Sequence, residues 1–113
     1  MNVAEKTLNL NVALEFSKTP GPRFQTEGKF SGEEFREGIL RKRLDEALKE
    51  GSVLHIDLDG GYGYATSFLE EAFGGLAREY ESDQILKTLS FKSDEEPYLI
   101  EDIRGYIRKA RSG

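Results

Sequence analysis

Residues 53–76 read VLHIDLDGGYGYATSFLEEAFGGL, and the expected fold rests on this stretch. Its first six residues are mostly apolar and include β-branched members, which is typical of a buried central strand over Val53–Leu58. After a glycine-rich loop, apolar residues return at helical spacing and predict a helix over Ser67–Tyr80. Ser67 and Glu70 have the spacing of a capping box, so Ser67 is the expected N-cap. The stretch predicts a strand that leads through a short loop directly into a helix.

Hydrophobic periodicity predicts further elements on both sides of this stretch. A capping box that begins at Ser31 and a glycine at position 51 mark the two ends of a long helix. The other predicted elements are a half-buried strand Thr7–Phe16, a short strand Arg23–Thr26, the helix Ser31–Glu50 itself, a third main strand Ile85–Phe91 and a last helix that begins near Ser93 or Asp94. This alternation predicts a single α/β domain over residues 1–113, with a mixed sheet of about four strands and three helices packed on it.

Composition removes several classes of function. The chain has no cysteine, which excludes disulfide scaffolds, zinc–cysteine sites and thiol catalysis, and it has one histidine, His55. No apolar run approaches the roughly 20 residues that cross a membrane, and no signal peptide follows Met1, so we expect a cytoplasmic protein with no membrane partner. The net charge of -5 resides wholly in residues 51–113 and argues against nucleic acid as a partner. The basic end, Arg104–Arg111, is too small a patch to change that expectation.

The loop after the predicted central strand holds the densest unusual chemistry. It begins at the carboxyl end of a strand, where open α/β sheets bind ligands and partners. Its glycines allow backbone conformations that other residues avoid, and the helix that follows presents free N–H groups. The predicted binding loop consists of Asp59, Gly60, Gly61, Tyr62, Gly63 and Tyr64. Position and composition together indicate that this loop is the functional edge of the domain.

Sharper chemical interpretations of this region each lack a component. Gly61–Thr66 resembles a dinucleotide fingerprint, but Thr66 stands where the third glycine is needed. Asp57 and Asp59 face the same way on a strand and suit an acid–base or magnesium pair, yet no further ligand accompanies them. His55 lies in an apolar strand, where a packed histidine is the usual outcome. We therefore expect no metal, no cofactor and no catalytic residue.

Small side chains mark the start and the interior of the predicted second helix. If Ser67 is its cap, the hydroxyl of Thr66 is free to be exposed and modified. Gly74 and Gly75 interrupt the helix interior, at a cost of about 1 kcal/mol each relative to alanine. Such a cost is offset when another element packs closely on the helix, so we expect close packing there.

Four segments resemble the STAS domain, named from sulfate transporters and anti-sigma-factor antagonists. The resemblance is stronger to the small prokaryotic STAS-like domain of unknown function, and it extends over residues 5–110. The segments are Gly21–Phe24 (GPRF), Ser31–Glu37 (SGEEFRE), Ile56–Gly60 (IDLDG) and Ser67–Leu76 (SFLEEAFGGL). The resemblance implies a STAS-like fold and a non-enzymatic signalling role.

In anti-sigma-factor antagonists, a partner kinase of the histidine-kinase-like ATPase superfamily phosphorylates a hydroxyl at the start of the corresponding helix. The phosphate breaks the regulatory complex. The resemblance assigns Thr66 to the phosphoacceptor and Ser67 to the next hydroxyl. The chain departs from the family pattern at Ala65, Phe68, Glu70 and Glu71. The two carboxylates would repel a phosphate on Thr66, whereas the helix N-terminus would attract it.

We therefore expect an interaction module that docks through Asp59–Ser67 and the exposed face of the second predicted helix. The expected face includes Glu70, Glu71 and Gly74, and the expected partner is a histidine-kinase-like ATPase or a serine/threonine kinase. The alternative is a small-ligand or nucleotide-binding domain that uses residues 60–67 as an anion site. An enzyme built on His55, Asp57 and Asp59 is a third class, for which the sequence offers no complete nucleophile and base. The oligomeric state is left open.

Overall fold

The computed structural model describes residues 6–110, and its centre is a three-stranded parallel sheet in the order β1-β2-β3. The strands are β1 (Thr7–Asn11), β2 (Val53–Asp57) and β3 (Leu89–Lys92). The shorter helices are α1 (Val12–Glu15) and α4 (Ser82–Thr88), and the last helix is α5 (Tyr98–Lys109). Helix α2 joins Gly32–Phe35, a π-helical turn Arg36–Leu40 and Arg41–Glu50, and α3 joins Thr66–Leu69 and a π-helical turn Glu70–Gly74. The long connection 17–31, which we call the strap, contains a 3-10 turn at Gln25–Glu27.

The two crossover connections are expected on the same face of the sheet. A connection between parallel neighbours is right-handed in nearly all proteins, so successive steps from β1 to β2 to β3 put their helices on one side. The register pairs Leu10 with Ile56 and Ile56 with Phe91, and these side chains belong to or pack against the hydrophobic core. Alternate residues, such as Asn9 and His55, face the other way and stay at least partly exposed. One face of the sheet is therefore polar and open.

Aromatic side chains fill the space between the sheet and the helices. Phe35 of α2 and Phe68 and Phe73 of α3 are fully buried, and the ring centroids of Phe35 and Phe68 lie 5.9 Å apart. Phe16, at the end of the turn after β1, lies 5.1 Å from the Phe35 ring. Helix α5 packs on the π-helical turn of α3 and buries Ile103 there. Because α2 and α5 both pack on it, α3 has little free surface.

The α/β class is confirmed, but the predicted sheet is corrected: it has three strands among the described residues, and all of them are parallel. Strand β1 ends at Asn11 rather than at residue 16, because the Asn11 side chain accepts the N–H of Leu14 at 3.0 Å and begins α1. The predicted short strand 23–26 lies in the strap and overlaps its 3-10 turn. The predicted strand 85–91 is helical up to Thr88 and extended from Leu89.

The two ends of α2 agree with the sequence. The Ser31 hydroxyl accepts the N–H of Glu34 at 3.0 Å, which is the predicted N-cap bond. The carbonyl oxygens of Pro22 and Arg23 in the strap accept the N–H groups of Gly32 and Glu33, respectively. At the other end, Gly51 stops the helix in the left-handed region, with φ of 66°. Ser31 and Gly51 are therefore sufficient to predict the residues at which α2 begins and ends.

The start of α3 differs from its prediction. Ala65 occupies the N-cap position, and Ser67 lies within the first turn, so Ser67 is not the cap. Glu70, the expected second member of the capping box, is bound instead by Arg23 of the strap. A contact between residues distant in sequence has replaced the local one. Arg111 of the predicted basic end, like Met1, lies outside the described residues.

Candidate functional site

The carboxyl ends of the three strands meet at one edge of the sheet, which we call the carboxyl edge. Asn11, Asp57 and Lys92 are aligned there by the strand register. The Asp57 carboxylate accepts the N–H of Asp59 at 2.9 Å, which begins the loop after β2. Asn11 donates more weakly to the other Asp57 oxygen, at 3.4 Å. Asp57 therefore fixes the backbone at the start of the predicted binding loop.

Asp59 ties this loop to the segment that follows β3. Its carboxylate accepts the N–H groups of Asp94 at 3.1 Å and Glu95 at 2.9 Å, and its Oδ2 lies 2.7 Å from Lys92 Nζ. The Lys92 ammonium and the two backbone donors lower the pKa of Asp59 from 3.8 to about 2. The Glu95 carboxylate makes a second connection between the same two segments, because it accepts the N–H of Gly60 at 3.0 Å. Asp59 is therefore held in place as an anion that joins the loop to the segment after β3.

Replacing Asp59 by asparagine is expected to remove an acid-dependent part of the stability. A carboxylate with a lowered pKa in the folded state contributes fully above its unfolded pKa, and this contribution is lost as the pH falls from about 4 to about 2. Wild type should therefore exceed Asp59→Asn in free energy of unfolding at pH 6, and the difference should shrink towards pH 2. Urea titrations at several pH values measure it. Asp102→Asn, on the exposed surface of α5, is the control, and an Asp59→Asn difference that stays constant with pH contradicts the prediction.

Two glycines give the loop a shape that other residues would strain. Gly60 has φ of 95° and Gly63 has φ of 130°, both in the region that favours glycine. The Tyr62 N–H bonds to the carbonyl of Lys18 in the strap at 2.8 Å. The Tyr64 hydroxyl donates to the Leu58 carbonyl at 3.0 Å, and burial raises the pKa of Tyr64. The loop is thus held rigidly from both sides.

The large exposed apolar side chains of residues 6–110 lie on the connections that leave the carboxyl edge. They are Leu14, Phe24, Phe30, Tyr62 and Tyr98. Leu14 belongs to α1 and Phe24 and Phe30 to the strap, both between β1 and α2, whereas Tyr62 lies between β2 and α3 and Tyr98 begins α5 after β3. Tyr62 is 84% exposed and Leu14 is 78% exposed. Aromatic and apolar groups gathered on one side of a domain are typical of a contact surface.

Tyr62 and Leu14 lie on segments that touch. A Cβ added at Gly60 would lie 3.5 Å from Ala13 Cβ, and one added at Gly61 would lie 3.1 Å from the Lys18 carbonyl oxygen. The loop after β2 therefore rests directly on α1 and the start of the strap. The sequence did not single out Leu14, because alternation placed it on the buried side of a strand. The helical turn at α1 instead directs it into solvent.

The two candidate phosphoacceptors begin α3. Thr66 is exposed at the first position of the helix, whereas Ser67 is partly buried in the first turn. Among residues 6–110, the Thr66 hydroxyl makes no hydrogen bond. Thr66 is therefore the more accessible of the two.

The expected partner face at Glu70, Glu71 and Gly74 is corrected in its position. Glu71 and Gly74 are buried, because α2 packs over the former, and the Tyr106 carbonyl of α5 and Ala110, which directly follows α5, lie over the latter. Glu70 is partly exposed. The close packing expected at Gly74 and Gly75 is confirmed, since a Cβ at Gly75 would lie 2.3 Å from Arg36 Nη1. This part of α3 faces the interior of the domain.

Arginines from α2 and the strap neutralise the two carboxylates. Arg36 Nη1 donates to Glu71 Oε2 at 2.7 Å and to the Glu71 carbonyl at 2.6 Å. Arg23 bonds to Glu70, and this hydrogen bond raises the pKa of Arg23. Sequence reasoning missed both arginines. A signal for Arg36 was present, since it stands next to Phe35 and three residues before Ile39, among the apolar positions of the predicted helix. The repulsion expected between these carboxylates and a phosphate on Thr66 is therefore offset.

The open sheet face carries the other candidate residues. His55 Nδ1 lies 2.5 Å from the Ser90 hydroxyl on the adjacent strand. A shallow cavity of about 310 Å³ is lined by Asn9, Leu10, Asn11, His55, Asp57 and Lys92. A larger one, of about 500 Å³, lies between the segment 77–81 that follows α3, the start of α4 and the end of α5, and neither of these cavities is lined by the loop 59–65. No group of three or more His, Asp or Glu side chains suited to a metal ion occurs within residues 6–110.

The fold and the edge together define a class: a two-layer α/β domain whose rigid glycine loop leads from the central strand into a buried helix. The chain belongs to the family of the STAS-like domain of unknown function (DUF4325), whose family model matches residues 31–99. The match extends from the cap of α2 to the first turn of α5, so it includes three of the four segments that carried the resemblance. No curated protein and no solved structure matches the chain.

Proposed function

We propose that this chain is a non-enzymatic interaction module that docks on a protein partner through its carboxyl edge. The supporting observation is that the large exposed apolar side chains of the described residues all follow strand carboxyl ends. Tyr62 and Leu14 are the expected anchors, because they are the most exposed of this set. Tyr62 stands on a loop fixed by Asp57, Asp59 and Tyr64, and this loop rests on α1, which carries Leu14. A rigid loop loses little conformational entropy when it binds.

The proposed partner is a histidine-kinase-like ATPase, and Thr66 is the proposed regulatory site. In the reaction, the Thr66 hydroxyl oxygen attacks the γ-phosphorus of ATP, its proton is released to solvent, and ADP leaves. The phosphate adds about -1.5 to -2 charge at the docking edge. Carboxylates of Asp94 and Glu95 already stand there, exposed to solvent. The added charge disfavours docking by like-charge repulsion within the contact.

Tyr62→Ala is expected to weaken this docking by about 30-fold or more, because truncation of a central aromatic anchor commonly costs about 2 kcal/mol or more. The Tyr62 side chain is 84% exposed, so its removal should leave the melting temperature unchanged. Binding to a purified histidine-kinase-like ATPase from the same organism is measured by isothermal titration calorimetry. Lys49→Ala, on α2 at the opposite edge of the sheet, is the matched control.

The same pair of proteins provides the test of regulation. After incubation with ATP, phosphopeptide mass spectrometry should find the modification at Thr66, and Thr66→Ala should remove it. Equal affinity of Tyr62→Ala, Lys49→Ala and wild type for the ATPase would remove the carboxyl edge as the docking surface. If the complex forms but neither Thr66 nor Ser67 carries phosphate, the proposed phosphorylation is refuted, whereas the proposed docking is retained.

A further inference from the structure

Arg23 keeps part of its hydrogen-bonding capacity unused beside the start of α3. Its Nη1 donates to Glu70 and, at 3.5 Å, to Glu71. Within residues 6–110, Nη2 and Nε of Arg23 have no hydrogen-bond acceptor. The side chain is 32% exposed, so solvent and solutes reach it. A guanidinium with two free donors is suited to a phosphate group, which it binds through parallel N–H···O bonds.

Thr66 lies on the same face of α3 as the carboxylate that holds Arg23. The Glu70 N–H bonds to the Thr66 carbonyl, which makes the two residues neighbours one helical turn apart. Side chains at this spacing have Cβ atoms about 5–6 Å apart. Helical side chains also lean towards the N-terminus, so Glu70 and the guanidinium bound to it extend over the turn that begins at Thr66.

We propose that Arg23 is the residue that receives a phosphate on Thr66. Its free Nη2 and Nε donate to two phosphate oxygens, while Nη1 keeps the strap bound to Glu71. This inference rests on the proposed function for the modification itself. Glu70 is not left unpaired when Arg23 turns to the phosphate, because Arg78 lies 3.6 Å from its other oxygen. The phosphate would thus bridge α3 and the strap next to the docking edge.

The contact is tested on protein that carries phosphothreonine at position 66 without the use of a kinase. The chain has no cysteine, so a synthetic segment that begins with cysteine at position 65 can be ligated and then desulfurised to the native Ala65. Phosphorus NMR over a pH titration gives the second pKa of the phosphate, which is about 6 when unperturbed. The variants are Arg23→Gln and Arg23→Lys. Arg78→Gln is the matched control, because Arg78 Nη2 lies 3.6 Å from the other carboxylate oxygen of the same Glu70.

Arg23 is expected to lower the second phosphate pKa by about one pH unit relative to Arg23→Gln, because a nearby cation favours the dianion. Arg23→Lys should retain part of this shift, and Arg78→Gln should match the wild type. Equal titration of wild type and Arg23→Gln would overturn the proposal. A shift lost equally in Arg78→Gln and Arg23→Gln would overturn it as well, since it would reflect net charge alone. The titration requires neither kinase nor partner, so its result is independent of whether the docking experiment succeeds.

Discussion

Glu71→Ala is expected to lower the free energy of unfolding by about 3–5 kcal/mol, the usual cost of leaving one member of a buried ion pair without its partner. Arg36, whose side chain is 11% exposed, would lose the contact of its guanidinium to Glu71 Oε2 at 2.7 Å. The carboxylate that remains is Glu37, which is 3.3 Å away and 40% exposed. Small domains have a total stability of about 5–15 kcal/mol, so the variant should unfold at much lower denaturant concentration. Urea unfolding followed by circular dichroism measures the difference.

Two further variants separate the pair from its individual charges. Arg36→Met combined with Glu71→Leu should be far less destabilising than Glu71→Ala, since an apolar pair of similar size needs no desolvation of charge. The Arg36 Nε is already buried without a hydrogen-bond partner among the described residues, so the native pair is incompletely satisfied. Glu79→Ala, which breaks a partly exposed ion pair with Arg41, is the control and should have little effect. If Glu71→Ala is no worse than this control, the pair does not stabilise the packing of α2 on α3.

Gly32→Ala and Gly38→Ala are expected to change stability in opposite directions, although both glycines lie in α2. A Cβ at Gly32 would lie 2.5 Å from the Phe68 carbonyl oxygen and 3.1 Å from Glu71 Cβ. The first of these is backbone and cannot move aside, so the two helices must separate, at a cost of about 1–3 kcal/mol. A Cβ at Gly38 would meet nothing within 4 Å, and alanine there should stabilise the helix by about 0.5–1 kcal/mol.

Thermal unfolding of the two variants beside wild type gives the comparison. Propensity alone would raise the melting temperature of both, because alanine is the better helix former at each position. A Gly32→Ala protein that melts at or above the wild-type temperature would mean that α2 and α3 do not approach as closely as described.

The order of the main strands and the long helices was predictable because the signals that set it are local. The cap at Ser31, the stop at Gly51 and the apolar run at Val53–Leu58 each depend on residues that are near in sequence, and each is confirmed. The glycine loop was also identified correctly as a special conformation, since Gly60 and Gly63 both have positive φ. Its site roles, and those of Thr66 and Ser67, stay predictions.

Two of the errors arose where a distant contact overrode a local preference, and a third arose where a helix cap overrode a strand pattern. Ser67 and Glu70 have the spacing of a capping box, but an ion pair with Arg23 occupies the glutamate. Leu14 follows the alternation of a strand, but the Asn11 cap turns the chain into a helix and exposes it. Glu71 has the charge of a surface residue, but Arg36 permits its burial. For Glu70 and Glu71, the competing partner lies on another element. For Leu14, the cap three residues earlier turns the chain from a strand into a helix.

The sequence by itself determined that this is an α/β domain of the STAS-like family, with a strand, a glycine loop and a helix at its centre. Periodicity, caps and glycines act within a few residues, and they carry that information. Only the tertiary structure decided that the sheet is parallel and open on one face, that α3 is buried between α2 and α5, and that the exposed apolar side chains lie on the connections that leave the carboxyl edge. These features depend on register, on helix crossing and on ion pairs between residues such as Arg23 and Glu70, 47 positions apart. Such pairings become visible only when the chain is packed, because many partners are chemically equivalent along the sequence and only one is adjacent in the fold.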